Sequence, residues 1–204
     1  MANVTWNPVD SWTDLELTNG NTTVRKTSTG GYHGIRGTVS YDTGLRYFEA
    51  FVPNGNEGAM GLGTALADLN SPLGYGSDQG LGIYGDGTMY VGGSGYNSTD
   101  GSLADTRVGF LVDLTARRVW VKGVSGNWTH GGDPAAGGAG IDISHITTPL
   151  FPMFTGYYTD DTSTLYSNTD TITLGLPAGA TLWGDDGGTT PTPTRKAIRS
   201  VHWL

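Results

Sequence analysis

Residues 80–87 read GLGIYGDG, and Gly80, Gly82 and Gly85 reproduce the G-x-G-x-x-G spacing of a dinucleotide-binding loop. Such a loop holds pyrophosphate only where a strand runs into it and a helix leaves it, because the free N–H groups of the helix N-terminus form the anion site. The residues that follow, DGTMYVGG, start no helix. Asp86-Gly87 is a hairpin dipeptide and TMYV has β character, so the segment reads as strand, tight turn, strand. The chain holds 34 glycines in 204 residues, enough for this spacing to arise by chance.

The other residues that could do chemistry are scattered. Glycoside hydrolysis needs two carboxylates facing one cleft, and the chain has three glutamates, Glu16, Glu49 and Glu57. Glu49 falls mid-strand in YFEA, where a sheet-face residue paired with an arginine is the plainer expectation. Asp160-Asp161 and Asp185-Asp186 are adjacent pairs, whose side chains point apart in extended chain. No G-x-S-x-G elbow accompanies His33, His130, His145 or His202, so a serine triad is not expected. His130 and Asp133 could share a turn, and Asn97 and Asp100 are oxygen donors without the spacing of a calcium loop. We expect no metal and no cofactor. Four glycosylation sequons, at Asn3, Asn21, Asn97 and Asn127, match what a chain rich in Asn and Thr produces by chance.

The aromatics say more. Tyr75, Tyr96, Trp128, Tyr157 and Tyr158 lie in or beside glycine-rich loops, and Arg36 precedes GTVSYDTG at what reads as the start of a loop. A single loop aromatic is usually a packing cap. Several together offer contact area at low entropic cost and form a candidate recognition surface, for a protein or for sugar rings.

Composition narrows the classes further. With no cysteine, disulfides, thiolate metal sites and a cysteine nucleophile are excluded. Net charge is −8; leaving out Arg195, Lys196 and Arg199, eight basic residues face 19 acidic ones, a net −11. A body this acidic repels phosphate backbones, so no nucleic-acid partner is expected. No apolar run is long enough to span a bilayer, so no membrane insertion is expected. The start, MANVTWNPVD, shows no basic region followed by an apolar one, so no signal peptide is expected.

The elements that must position these residues are strands. DLELT (14–18) and TTVRKT (22–27) flank the hairpin turn NGN, with Leu15 and Leu17 on one face. RYFEAFV (46–52) and AMGLGTA (59–65) follow. RVGFLVDL (107–114) is almost wholly apolar, as expected of a central strand buried on both faces, and RRVWVKG (117–123) alternates Val119 and Val121 against Arg118, Trp120 and Lys122. PLFPMFTGYY (149–158) and TDTITLGL (169–176) read as the last strands. TALADLN (64–70) makes at best one helical turn. About ten to twelve short strands joined by Gly/Asn/Asp turns predict an all-β, antiparallel two-sheet β-sandwich over residues 1–183. A Gly/Thr/Pro linker, 184–194, and a basic-aromatic peptide, RKAIRSVHWL (195–204), follow it.

The ordered set YFEA (47–50), GLG (61–63), LGYG (73–76), GLGIYGDG (80–87), VGFLVDLTARRVWV (108–121), GNW (126–128), GGDPAAG (131–137) and PLFP (149–152) resembles the SPRY domain family, especially its glycine-rich bacterial and phage versions. The resemblance covers about residues 5–176. Val124-Ser125-Gly126 replaces an Asn-Gly that often follows the aromatic strand, the stretch 157–169 is longer and more polar, and the tail has no counterpart. The resemblance implies a bent sandwich similar to the legume-lectin jelly roll, binding partners through edge loops without catalysis. Three expectations follow. The first is a phage virion surface protein, a receptor-binding or tail-fibre protein or a capsid or tail decoration, made in the bacterial cytoplasm. It docks on other virion proteins through Arg195, Lys196, Ile198, Arg199, Val201, Trp203 and Leu204, presents its loops to a host-surface protein or glycan, and is compatible with a homo-oligomer. The second is a lectin-like carbohydrate-binding module using the loop aromatics. The third is a small hydrolase, for which no converging acids are found.

Overall fold

The computed structural model of the protein describes residues 4–76 and 78–185. Sixteen strands are present among them, more than the ten to twelve expected. In chain order these are β1 (Trp6–Ser11), β2 (Leu15–Thr18), β3 (Thr23–Lys26), β4 (His33–Gly37), β5 (Leu45–Phe51), β6 (Ala59–Gly63), β7 (Gly80–Tyr84) and β8 (Thr88–Val91). They continue with β9 (Ser94–Asn97), β10 (Arg107–Asp113), β11 (Arg118–Lys122), β12 (Trp128–His130), β13 (Ile141–Asp142), β14 (Phe151–Gly156), β15 (Thr162–Tyr166) and β16 (Thr181–Leu182). The order in the first sheet is β1-β4-β14-β6-β7-β8-β9; in the second it is β12-β11-β10-β5-β15-β3-β2, with β13 on β11 and β16 on β5. Every pairing is antiparallel except β16 with β5.

The core lies between the sheets because period-two strands send alternate side chains inward. Phe48 and Phe110 stack at 4.9 Å, and Trp183 meets Phe48 and Tyr41 edge-on. Val119 and Val121 face this core, while Trp120 points to the other side of its sheet, as the alternation predicted. The NGN turn places Asn19, Gly20 and Asn21 at positive φ, which these residues adopt at least cost.

Both outer faces are covered too, which the alternation alone did not predict. Residues 64–76 lie over the first sheet, with Gly34 N–H donating to Leu69 O at 2.7 Å and Tyr84 Oη to Leu73 O at 2.9 Å. One cross-sheet row runs Met153, Gly61, Gly82, Tyr90. At Gly82 a Cβ would stand 2.7 Å from the Leu73 carbonyl oxygen, and at Gly80 it would stand 2.7 Å from Leu62 O and 2.9 Å from Leu73 Cδ1. At Gly85 it would overlap the carbonyl oxygen of Gly55. All three glycines of the apparent phosphate loop therefore admit neighbouring chain, and Asp86-Gly87 turns into β8.

Residues 168–180 cross the second sheet, and this corrects the expectation of a strand over 169–176. Ile172 packs beside Tyr47, Leu111 and Trp120 as expected of an apolar alternation. The backbone, however, bonds to a side chain: the N–H groups of Thr173 and Leu174 donate to the two oxygens of Glu49, at 2.9 and 2.8 Å. The strand lies earlier, at β15, in the stretch that looked too polar. β15 pairs with both β3 and β5, and its Thr and Tyr residues stand on the half-exposed face.

A buried polar cluster ties β2, β3 and β4 together. Lys26 Nζ, fully buried, donates to Asp14 Oδ2 at 2.6 Å, and His33 Nδ1 lies 2.7 Å from the same oxygen beneath the stacked ring of Trp12. Burial alone would raise the Asp14 pKa; hydrogen bonds from Lys26, Ser28 and His33 outweigh it and hold the carboxyl at about 2. A carboxyl depressed in the folded state contributes stability above its unfolded pKa of about 4, and that contribution is lost as pH falls towards 2. The urea midpoint of Asp14→Asn is expected to lie below wild type at pH 5 and to converge with it by pH 2. Parallel pH profiles would show that the cluster does not depend on this charge.

Candidate functional site

The structure distributes the described ones among the predicted site residues over five places. Tyr157 and Tyr158 follow β14 at one end of the first sheet. Tyr157 packs on Tyr158 at 4.9 Å (80°) and on Tyr32 at 4.9 Å (54°). Tyr32 donates its hydroxyl to Glu57 Oε2 from the loop 53–58. Burial first, and the Glu57 hydrogen bond second, push the Tyr32 phenol well above the ordinary range, so it stays protonated as a donor. Below this corner the Asp161 carboxylate, also buried, accepts the N–H groups of Tyr157 and Tyr158 on Oδ2 at 2.8 and 2.9 Å, fixing the loop that carries them. Burial raises the Asp161 pKa against the pull of those two donors.

Tyr75 stands on the covering segment, 57 % exposed. It meets Tyr90 edge-on at 4.9 Å, and Tyr90 meets Tyr84 at 5.4 Å. Tyr84 in turn lies within electrostatic reach of Tyr32 and Glu57. Two packed groups, Tyr158–Tyr157–Tyr32 at the loop end and Tyr84–Tyr90–Tyr75 on the outer side of the first sheet, together make up a tyrosine stripe. Tyr158, 44 % exposed, and Tyr75 are its open ends. A cleft of about 150 Å³ opens beside Tyr75, lined by Ser71, Leu73, Gln79 and Met153.

Tyr96 and Trp128 are not part of this stripe. Tyr96 lies on the edge strand β9, where its carbonyl is 3.1 Å from His130 Nε2. Trp128 lies partly buried against the outer side of the second sheet, with Lys122 Nζ 5.9 Å from its ring. Arg36 corrects the expectation of a loop cation. It sits in β4 at 5 % exposure, holds Asp10 through both carboxylate oxygens at 2.9 Å, and donates to the carbonyls of Thr64 and Ala67. Its role is to pin the covering segment. The docking residues Arg195, Lys196, Ile198, Arg199, Val201, Trp203 and Leu204, and all of the 184–194 linker except Gly184 and Asp185, lie outside the described residues.

Sequence reasoning passed over Tyr32, Glu57, Tyr84 and Tyr90. Tyr32 follows Gly30-Gly31 and carries the same signal as the loop tyrosines that were selected. Nothing local to Glu57 could show that it meets a tyrosine 25 residues earlier.

The acids do not converge. Glu16 pairs with Arg25, Glu49 is enclosed beneath residues 171–174, and Glu57 serves Tyr32. Asp160 is exposed beside Arg25 while its neighbour Asp161 is buried; the two diverge because Asp160 sits in a turn at φ 74°, not in extended chain. His130 is buried and tautomer-locked: its Nε2 lies 3.1 Å from the Gly87 and Tyr96 carbonyls and its Nδ1 3.0 Å from Thr129 Oγ1. Asp133 instead caps the turn Pro134–Ala136. Asp100 accepts from Ser125, and no cluster of three metal-binding side chains occurs among the described residues.

No protein-family model and no curated protein sequence matches the chain. Solved structures do. The SPRY domain of human HERC1 superposes with a TM-score of 0.62 at 11 % identity, over 79 % of this chain and 96 % of that one. The TRIM65 PSpry domain gives 0.61 at 15 %, over 82 % and 93 %. Stonustoxin gives 0.57 at 14 %, over 80 % of this chain and 27 % of that one. The fold is therefore a SPRY-like β-sandwich.

Proposed function

We propose that this protein is a non-catalytic recognition module that binds a protein partner through the tyrosine stripe. The observation that carries the reading is the stripe itself. Six tyrosines from five separated segments are gathered on one side of a rigid sandwich, and the loop bearing Tyr157 and Tyr158 is pinned by a buried carboxylate. Rigid aromatics held in advance are what an interface core requires. Within this reading the protein is a surface component of a phage particle, made in the bacterial cytoplasm. Two features support that role: the ordered glycine-rich motifs, and a tail joining three cations to Ile198, Val201, Trp203 and Leu204 after a Thr-Pro spacer.

The test is capture from the source lysate with three baits: full length, residues 1–185, and full-length Tyr158→Ala. Tyr158→Ala is expected to weaken partner capture at least tenfold with little change in melting temperature, since Tyr158 is 44 % exposed and outside the core clusters. Loss of particle proteins from the 1–185 bait alone assigns docking to the tail. Equal capture by all three overturns both assignments.

A lectin-like reading has one observation of its own. Exposed Tyr75 borders a cleft of about 150 Å³ that holds the polar side chains of Ser71 and Gln79, room on the scale of one sugar ring. Glycan-array binding lost on Tyr75→Ala would favour it, and an empty array would remove it.

A further inference from the structure

We propose that the corner formed by Tyr32, Tyr157 and Tyr158 with Glu57 takes a cationic side chain, arginine or lysine, presented by the partner protein. This names the ligand chemistry of the stripe's outer end and rests on the recognition reading above.

Three features point there. First, the rings meet at 54° and 80° with centroids 4.9 Å apart, so their faces turn in different directions around one corner instead of stacking flat on each other. The face of each ring carries the negative part of its quadrupole and attracts a cation placed over it. Second, Glu57 supplies a carboxylate at the same place. Oε2 accepts the Tyr32 hydroxyl, while Oε1 receives no hydrogen bond from the described residues. A carboxylate beside aromatic faces disfavours an anionic ligand and leaves an acceptor for a guanidinium or ammonium donor.

Third, among the described residues no lysine or arginine lies over the rings of Tyr32, Tyr157 or Tyr158. Among the described residues there are eight lysines and arginines, and each is engaged elsewhere. Five are in ion pairs, with Glu16, Asp14, Asp10, Glu49 and Asp142. Arg46 lies over Tyr41, and Arg117 and Lys122 donate to backbone carbonyls. The body is also strongly acidic, so a cationic partner segment is drawn to it from a distance.

The experiment uses the full chain with ¹³C-labelled tyrosine rings, followed by NMR in low salt. The probes are acetyl-arginine methylamide and its neutral isostere acetyl-citrulline methylamide. The expected result is saturable shifts at Tyr32, Tyr157 and Tyr158 with the arginine probe, and at least tenfold weaker binding of the citrulline probe. Glu57→Gln keeps an acceptor for Tyr32 and is expected to weaken the arginine probe at least threefold without changing the melting temperature. Equal response to both probes, or shifts confined to other tyrosines, overturns the cation assignment. The outcomes separate from those of the recognition reading. Partner capture that is lost on Tyr158→Ala while the two probes act alike leaves recognition standing and removes the cation. Capture that survives Tyr158→Ala removes the reading on which this proposal rests.

Discussion

Gly85→Ala is expected to lower folding stability by about 3 kcal/mol, the upper range for forcing extra volume into a packed site. For a chain of this size that is a fall in melting temperature of roughly 10 °C. Gly85 directly follows β7 and its φ lies outside the left-handed region, so the penalty does not come from φ. It comes from the Gly55 carbonyl, which the added methyl would overlap. Gly85 N–H also donates to that oxygen at 3.0 Å, so the two backbones cannot separate without losing the bond. Gly95→Ala is the control. It lies on the same sheet, but its Cβ would meet only side chains, those of Tyr90 at 3.3 Å and Thr88 at 3.5 Å. A thermal melt of the two variants decides the matter. Wild-type stability in Gly85→Ala would show that the loop 53–58 is not held against the sheet. Because that loop carries Glu57, the same variant is expected to disturb the tyrosine corner.

Glu49→Ala is expected to cost about 3–5 kcal/mol, the range for breaking a buried ion pair from one side. Glu49 is 0 % exposed, and four groups depend on it: Arg107 Nη1 at 3.3 Å, Tyr47 Oη at 3.1 Å, and the Thr173 and Leu174 N–H groups. Removing the carboxylate leaves two backbone donors and part of a guanidinium buried without it. Arg107 keeps the Thr171 carbonyl at 2.9 Å, and Lys122 keeps the Leu174 carbonyl at 2.6 Å, so the covering segment loosens at its centre first. Hydrogen exchange at Thr173 and Leu174 is the direct measurement. Protection there is expected to collapse in Glu49→Ala, and Glu49→Gln, which retains an acceptor, is expected to fall between. Unchanged protection at both amides would mean that the segment is held by Ile172 and its apolar contacts alone.

How much was legible follows from which interactions are local. The apolar run Val108–Leu114, the alternation of β11 and the Asn-Gly-Asn turn are set by neighbours in sequence, and all stand where the sequence put them. Residues 169–176 alternate like a strand because Ile172 does face a sheet. Their N–H groups, however, go to a carboxylate over 120 residues earlier, which no local pattern reports. β15 failed in the other direction: its Thr and Ser residues look like loop, but it pairs on both sides and shows only one face to the core. Arg36 was misplaced because glycines flank it. Those glycines serve close packing: a Cβ on Gly34 would stand 3.3 Å from Leu69, and one on Gly37 3.2 Å from Val4. For the candidate recognition surface, the sequence indicated Tyr75, Tyr157 and Tyr158 by their loop setting but could not show that Tyr157 and Tyr158 pack with Tyr32, or Tyr75 with Tyr90 and Tyr84.

The sequence by itself determined that this is an all-β sandwich, with no cysteine chemistry and no nucleotide loop, because period-two burial, turn chemistry and composition are properties of short stretches. Only the tertiary structure decided that both outer faces are covered, that Arg36 and Glu49 are internal anchors, and that Tyr32, bonded to Glu57, packs against the distant pair Tyr157 and Tyr158. Those outcomes depend on which distant backbone receives each hydrogen bond and which face lies under another segment. Both are fixed by pairing across the fold, over sequence separations that residue spacing does not encode.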